Sequence, residues 1–390
     1  MEPPQAQSHL SPGKILCGAG SLRDLPTELN ANEKHIVITD GGISAAGIAG
    51  RLMDVLRESG IQARLFDEIQ ADPSIESVHA ALEVAREEES TAVIGLGGGS
   101  SIDAAKALAA LLSHQETLRE FGDGAPILGA IAPLYAIPTN AGTGSEVTRV
   151  AVITDDERHE KMAIRGAELA PRCAVLDPEL LVSLPARIAA ESSADALSHA
   201  VEAFVSTGAT PLTDALALAA IRDIGLHARA HVADRGDLEA GARMLTASCL
   251  AGQAFTNAGL GLVHSLGEPL GARYHLSHGL SCALFLPVIM EFNLPVVRHR
   301  MAEVHAALTG TELAACLEGD GSGAATAVRE LFANLGLPAT YAQTGIEFTL
   351  EEGLIDAVWP QSCTRSNPRT PTEEDVRALY LALDERQDVG

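Results

Sequence analysis

The chain has 390 residues, of which 27 are basic and 52 acidic, so its formal net charge near neutral pH is −25. That length exceeds what a single hydrophobic core usually supports, which predicts two domains. The negative charge disfavours binding to nucleic acid or to an anionic membrane surface. Any phosphate-bearing ligand therefore has to be held by local backbone N–H groups and helix N-termini.

The sequence shows neither an export leader nor a membrane span. No charged and then apolar segment opens the chain, and the longest apolar run, residues 125–138, contains three prolines. The cysteines are scattered without a C-x-x-C pair, which is typical of reduced thiols in a cytoplasmic protein. We interpret all six as small buried residues without a chemical role: Cys17, Cys173, Cys249, Cys282, Cys316 and Cys363.

From about residue 34 to residue 185, short apolar runs alternate with stretches of helical period. The predicted strands are residues 35–39, 62–66, 92–96, 134–138, 149–154 and 173–176. The predicted helices are residues 45–59, 75–88 and 102–112. This alternation predicts an α/β fold, a parallel sheet with flanking helices.

Beyond Pro185 the pattern changes to long alanine- and leucine-rich stretches of helical period, with hardly any strand pattern. A proline can begin a helix but cannot continue one, so we place the boundary directly before it. The sequence thus predicts an α/β dinucleotide-binding domain over residues 1–184 and an all-α domain over residues 185–390.

A glycine-rich turn, Gly97-Gly98-Gly99-Ser100, lies between a predicted strand and a predicted helix. In that position glycines let backbone N–H groups approach a pyrophosphate at the helix N-terminus. Asp103 and Lys106 follow three residues apart, on one face of the helix. The alternative is a tight turn with a structural role alone.

Asp40 ends the first predicted strand and precedes two glycines. A carboxylate there can accept hydrogen bonds from ribose hydroxyls and repels a 2′-phosphate, which favours NAD over NADP. The alternative role for Asp40 is to cap a helix.

A second candidate ligand loop, residues 138–148, directly follows a predicted strand and combines hydroxyls, an amide and two glycines. Such a loop can wrap around a nicotinamide and its phosphates, although it can equally be a structural loop with capping hydroxyls. The side chains assigned to cofactor binding here are Thr139, Asn140, Thr143 and Ser145.

Four residues of the second half are candidate metal ligands. Asp195 and His199 lie four apart, so in a helix they share one face, although such a pair is often only an exposed pair or a cap. His264 and His278 lie in an apolar, glycine-rich stretch where buried imidazoles need partners. Together the four residues offer one carboxylate and three imidazoles to a first-row divalent metal.

These motifs together resemble the iron-containing, or group III, alcohol dehydrogenase family, from about residue 14 to residue 382. The matching stretches are residues 97–100 with Asp103 and Lys106, residues 141–148, Lys161, residues 177–202, residues 259–279 with Asn293, and residues 367–369. The resemblance implies a cleft between a dinucleotide-binding domain and a helical domain. It also implies NAD(P), one divalent metal and a homodimer or larger homo-oligomer.

The resemblance maps the metal ligands onto Asp195, His199, His264 and His278, and it places Lys106 and Lys161 near the cofactor cleft. Fe(II) is the expected metal, with Zn(II) as the alternative, since both accept nitrogen and oxygen ligands.

The sequence departs from the family at two positions. Glu268 stands where the family commonly has a histidine that relays a proton, and a carboxylate can take that task if its pKa is raised. His275 is an alternative relay, unless it is an ordinary surface or core histidine. Asn140 replaces a threonine that is common in the cofactor loop.

The sequence therefore predicts a metal-dependent oxidoreductase that transfers a hydride between NAD(H) and a small alcohol or aldehyde. One alternative is a reductase of a specialised oxo substrate, resembling maleylacetate reductase. Another is a catalytically silent member that binds metal or nucleotide.

Overall fold

The computed structural model of the protein describes residues 8–10, 13–158 and 160–384. The strands are β1 (Lys14–Cys17), β2 (His35–Asp40), β3 (Ala63–Ile69), β4 (Ala92–Gly97), β5 (Leu134–Pro138), β6 (Val150–Asp155), β7 (Glu160–Arg165) and β8 (Cys173–Leu176). The helices of the same half are α1 (Gly41–Ala45), α2 (Ile48–Glu58), α3 (Ile75–Glu87), α4 (Gly99–Leu111) and α5 (Leu118–Gly122). Short 3₁₀ helices cover Ser21–Glu28, Ser145–Val147, Ala167–Leu169 and Pro178–Leu181.

Six strands form one parallel sheet in the order β1-β8-β5-β4-β2-β3. Its central strands β2 and β4 are almost wholly buried, as their apolar sequences require once helices cover both faces. The chain runs outward from β2 to β3 and then crosses to β4 on the other side of β2. Ligands bind at the carboxyl ends of the strands where such an order reverses, which is where Asp40 and Gly97 lie.

The predicted α/β fold is confirmed, with local corrections. The predicted helix over residues 45–59 is two helices, α1 and α2, because the chain turns at Gly47 with a φ of +78°. Strand β6 lies outside the parallel sheet and pairs antiparallel with β7. Strands β1 and β7 were not predicted. Helix α4 begins at Gly99, so the glycine-rich turn forms its first residues.

The second half is helical throughout its described residues, as predicted, and its first helix follows Pro185. Its helices are α6 (Ala186–Val205), α7 (Pro211–Ala233), α8 (Leu238–Ala258), α9 (Leu262–Tyr274), α10 (His278–Thr309), α11 (Leu313–Glu318), α12 (Gly323–Asn334), α13 (Tyr341–Thr344), α14 (Glu352–Asp356), α15 (Ser362–Ser366) and α16 (Glu373–Leu381). Helices α6, α7, α8 and α10 pack on one another around the largest hydrophobic core. The domain boundary itself stays a prediction.

Helix α10 is long and apolar enough to cross a membrane by length and composition alone. Its most apolar 18-residue window is 61% buried inside the protein, and its first residue, His278, lines the cleft described below. These are the features of the central helix of a folded core, and they explain an apolar run of this length without a membrane.

Candidate functional site

One large cleft, of about 1810 Å³, lies between the carboxyl ends of the sheet strands and the helices of the second half. Sites for single drug-sized ligands measure roughly 300 to 1000 Å³, so this cleft has room for a longer ligand and a small substrate together. The predicted site residues that line it are Asp40, Gly98, Gly99, Ser100, Asp103, Thr139, Asn140, Thr143, Ser145, Lys161, Asp195, His199, His264, Glu268 and His278.

The glycine-rich turn brings bare backbone to the cleft. Gly97, which precedes the lining residues, has a φ of +145°, and a Cβ there would lie 2.6 Å from Ser101 Oγ. A Cβ on Gly98 would lie 3.0 Å from Asn140 Nδ2, and one on Gly99 would lie 3.1 Å from Thr143 Cγ2. Side chains at these three positions would clash with neighbouring atoms, so glycine is required there. The N-terminus of α4, which begins at this turn, favours binding of an anion.

Asp40 combines the two roles considered from the sequence. Its Oδ1 accepts the N–H groups of Gly42 and Ile43 at 2.9 and 3.0 Å, which caps α1. Its Oδ2 accepts the hydroxyl of Ser101 at 3.2 Å. The carboxylate nevertheless lines the cleft next to the glycine-rich turn, so it interacts electrostatically with a ligand bound there.

The loop after β5 contains a buried polar atom that a ligand could satisfy. Asn140 Oδ1 is buried and has no hydrogen-bond partner among the described residues, whereas Thr143 Oγ1 accepts the N–H of Ser145 at 3.3 Å. A buried acceptor without a donor is costly, so this atom fits a site that a ligand with N–H or O–H groups completes.

Buried charges fasten the second ligand loop to α4. Lys106 Nζ donates to Thr148 Oγ1 and to the carbonyl of Val150, both at 2.8 Å, and Asp103 Oδ2 accepts the N–H of Val152 at 2.9 Å. Burial lowers the pKa of Lys106 to about 8, although Asp103 and Glu146 oppose this shift. Lys106 therefore acts on the cleft by holding the loop, and it is not among the described residues that line the cleft.

Lys161 lies on β7 and lines the cleft with an exposed side chain. Its Nζ is paired with Asp72 Oδ1 at 2.5 Å. The pair places the ammonium group at the rim, where a phosphate-bearing ligand can contact it. An exposed pair of this kind contributes little to stability, so the lysine can exchange partners at small cost.

The predicted metal ligands meet at the helical wall of the cleft. Asp195 Oδ1 lies 3.4 Å from His199 Nε2, 3.9 Å from His264 Nε2 and 3.3 Å from His278 Nε2. Asp195 and His199 occupy one face of α6, and His264 and His278 begin α9 and α10. Three helix segments thus converge on one carboxylate oxygen.

Hydrogen bonds at Nδ1 determine which ring nitrogen of two imidazoles faces the cluster. Glu202 Oε2 lies 2.5 Å from His264 Nδ1, and the carbonyl of Gly142 lies 3.2 Å from His199 Nδ1. Both acceptors fix a proton on Nδ1 and turn Nε2 toward Asp195. This is the arrangement of histidines that bind a metal, and the donor set of nitrogen and oxygen suits Fe(II) or Zn(II). Sequence analysis gave Glu202 no role of its own.

Two members of the cluster, Asp195 and His199, have charge states that fit metal binding. Burial alone would raise the pKa of Asp195, but attraction to His199 and His278 reverses this and holds that pKa well below its usual range. Burial lowers the pKa of His199 to about 3, against the attraction of Asp195. Asp195 is therefore an anion and His199 a neutral imidazole near neutral pH, which are the states that bind a cation. Burial alone would lower the pKa of His264 and of His278, but attraction to Cys282 and to Glu202 or Asp195 instead raises the pKa of both.

A fifth side chain, which the sequence interpretation had treated as inert, lies in the same cluster. Four candidate ligand atoms, from Asp195, His264, His278 and Cys282, all lie within 4.8 Å of one another. His199 is near Asp195 but falls outside this tight set. The signal that could have found Cys282 is its spacing, since it lies four residues after His278 on α10 and therefore on the same helix face.

The two candidate proton relays have different positions. Glu268 follows His264 by one turn of α9, is half-buried and lines the cleft. His275 is the C-cap of α9, in the left-handed conformation with φ 56°, and it is exposed. Among the described residues His275 is not part of the cleft lining, so the structure does not support it as a relay.

Two protein-family models match this chain. Residues 12–178 match the model described as iron-containing alcohol dehydrogenase. Residues 189–383 match the C-terminal model of the Fe-containing alcohol dehydrogenase family. The two matches together cover most of the chain, including the glycine-rich turn and the cluster of candidate metal ligands.

Individual relatives match over nearly their whole length. An NAD-dependent methanol dehydrogenase of Bacillus methanolicus is 35% identical, covering 94% of this chain and 97% of the relative. An NADPH-dependent butanol dehydrogenase of Clostridium saccharobutylicum is also 35% identical, covering 95% and 96%. The crystal structure of a 1,3-propanediol oxidoreductase superimposes with a TM-score of 0.93 at 31% identity, covering 97% of this chain and all of that one.

Proposed function

Because the chain belongs to the iron-containing alcohol dehydrogenase family, we propose that it interconverts a small alcohol and its aldehyde, with NAD(H) in preference to NADP(H). Membership confirms the resemblance seen in the sequence and the predicted reaction class, a metal-dependent oxidoreductase acting on alcohol or aldehyde. The observation that carries the proposal is that the metal cluster and the glycine-rich turn line one cleft.

Different residues of the cleft are proposed to hold the metal and the cofactor for hydride transfer. When bound, the divalent metal supplies a Lewis acid for the substrate oxygen and the nicotinamide accepts or supplies the hydride. Asp195, His199, His264 and His278 would hold the metal. The turn at Gly97–Gly99, with the N-terminus of α4, would hold the pyrophosphate. Asn140 Oδ1 offers the acceptor that fixes the orientation of a cofactor amide or hydroxyl.

Glu268 is proposed to move the proton that accompanies the hydride. It is half-buried in the cleft and lies on the same face of α9 as His264, one turn further on. A carboxylate in this place can pass a proton between the substrate hydroxyl and solvent, as a histidine does in the family.

The preference for NAD is supported by Asp40. The two relatives differ in cofactor, since one is named as NAD-dependent and the other as NADPH-dependent, so family membership alone does not choose. A carboxylate at the end of β2, beside the pyrophosphate turn, repels an additional phosphate. Its hydrogen bonds to Gly42, Ile43 and Ser101 hold it in place.

The setting of the enzyme is also proposed. A net charge of −25 and scattered cysteines support a cytoplasmic protein that binds neither nucleic acid nor membrane. We propose a homodimer or larger homo-oligomer as the working form.

The test is oxidation of NADH and NADPH by protein reconstituted anaerobically with Fe(II), against a panel of small aldehydes and oxoacids. Zinc-loaded and metal-free samples serve as controls. Metal-dependent oxidation of NADH with an aldehyde is the expected result. Turnover confined to oxoacids would contradict the proposed alcohol or aldehyde substrate and favour a reductase of a specialised oxo substrate. Binding of metal and NADH without any turnover would contradict the proposed activity and favour a catalytically silent member.

A further inference from the structure

The thiol of Cys282 lies against polar ligand atoms and not against hydrocarbon. Its Sγ lies 3.6 Å from Asp195 Oδ1, 3.7 Å from His278 Nε2 and 4.0 Å from His264 Nε2. The side chain is fully buried. A buried cysteine usually behaves as a small apolar residue, and such a residue would not lie among three metal-binding atoms.

Two other buried cysteines show the contrast. Cys173 Sγ donates to the backbone carbonyl of the next residue, and Cys249 Sγ accepts from Gln253 on its own helix. Each satisfies a weak local hydrogen bond. Cys282 is the one of these three whose sulfur faces side chains from two other helices, α6 and α9.

The distances from the sulfur are close to those of one coordination shell. A metal with bonds of about 2.3 Å to sulfur and about 2.0 Å to nitrogen or oxygen, in tetrahedral geometry, separates sulfur from the other ligands by about 3.5 Å. The same geometry separates nitrogen from oxygen by about 3.3 Å. The sulfur distances of 3.6, 3.7 and 4.0 Å come within half an ångström of the first value. Asp195 Oδ1 lies 3.3 Å from His278 Nε2, 3.4 Å from His199 Nε2 and 3.9 Å from His264 Nε2, so two of these three distances match the second value.

We propose that Cys282 binds the metal through its sulfur, so that the site of this chain contains a thiolate besides its carboxylate and imidazoles. The inference rests on the metal site of the proposed function and adds a ligand to it. On binding, the Sγ–H bond is replaced by a metal–sulfur bond and the proton is released to solvent, with no change of oxidation state. A soft thiolate shifts the preference of the site toward zinc over iron.

The rival role for the thiol is a weak hydrogen bond to Asp195 without metal contact. Spectroscopy separates the two roles, because only a coordinated thiolate gives an intense charge-transfer band on Co(II) and a sulfur shell near 2.3 Å in X-ray absorption of the zinc protein. Both measurements use the intact chain, under reducing and anaerobic conditions.

The experiment compares the wild type with Cys282→Ser and Cys282→Ala, and with Cys316→Ser as the matched control. Cys316 is buried on α11, outside the cleft lining. The charge-transfer band is expected in the wild type and the control and is lost in both Cys282 variants, which still bind Co(II). The sulfur shell in the wild-type zinc protein tests the proposal even if a variant fails to fold.

Two outcomes overturn the inference, and they are distinguishable. Wild-type protein that binds Co(II) and zinc without the band and without a sulfur shell refutes Cys282 as a ligand and leaves the proposed function intact. Wild-type protein that binds no divalent metal refutes both.

Discussion

Replacing Glu202 by glutamine is expected to weaken metal binding through His264. One buried carboxylate accepts from His264 Nδ1 at 2.5 Å and from the N–H of Val263 at 2.6 Å. Glutamine has a single acceptor oxygen, so one of these two donors would face an amide NH₂ group. Loss of such a partner of a metal-binding histidine costs about 10- to 100-fold in affinity, which corresponds to about 1.4 to 2.7 kcal/mol.

The affinity is measured by competition with a chelator of known affinity, alongside thermal unfolding of the metal-free proteins. The matched control is Asp177→Asn, which alters another buried carboxylate that accepts backbone N–H groups of Gly20 and Leu22. This control should lower the melting temperature and leave metal affinity unchanged. If Glu202→Gln bound metal as tightly as the wild type, the assigned role of the carboxylate would be refuted.

Three further predictions concern the cleft and the residues that support it. Glu268→Gln should lower kcat by about 100-fold or more, and Glu268→His should recover kcat with a shifted pH–rate profile; an unchanged kcat in the glutamine variant would exclude the relay. Burial raises the pKa of Glu146 to about 7 from 4.5, although Lys106 opposes this shift. The folded state therefore binds more protons than the unfolded state between these values, and stability falls as pH rises. Glu146→Gln should gain about 2 to 3 kcal/mol of unfolding free energy relative to the wild type between pH 5 and pH 8; parallel curves would contradict this. Gly97→Ala should lose about 1 to 3 kcal/mol and weaken NADH binding in a fluorescence titration, because of its φ of +145° and the close Ser101 hydroxyl. The control Gly50→Ala lies inside α2, where a Cβ meets nothing within 4 Å, and should gain about 0.5 to 1 kcal/mol without affecting NADH.

The fold was predictable where local pattern and burial agree. Strands β2 and β4 are near-continuous apolar runs because both faces are covered, and the long helices of the second half repeat with helical period. Strand β1 has four residues at the sheet edge, and β7 carries charged residues at both ends. Segments that are short, at a sheet edge or half-exposed become strands because a partner strand lies beside them. The local sequence does not predict that partner.

The site was predictable to the extent that its residues form spaced motifs. Asp195 and His199 share a helix turn, and the turn at Gly97 follows a strand. Cys282 is indistinguishable from a core residue until α6 and α9 bring Asp195 and His264 to it. His275 is close to His278 in sequence, but it caps the end of α9 and lies outside the cleft lining, whereas His278 begins α10 and lines the cleft.

The hydrogen bond from His199 to the carbonyl of Gly142 joins the two halves of the cleft at one point. Gly142 belongs to the loop proposed to hold the nicotinamide, and a Cβ on it would lie 2.9 Å from the Cα of Ser192 on α6, so loop and helix are in contact. Whatever orders this loop therefore also orients a candidate metal ligand. If the dinucleotide strengthens metal retention, thermodynamic reciprocity requires that the metal strengthens dinucleotide binding by the same factor. An enzyme with such a coupling would lose its metal most readily while no dinucleotide is bound.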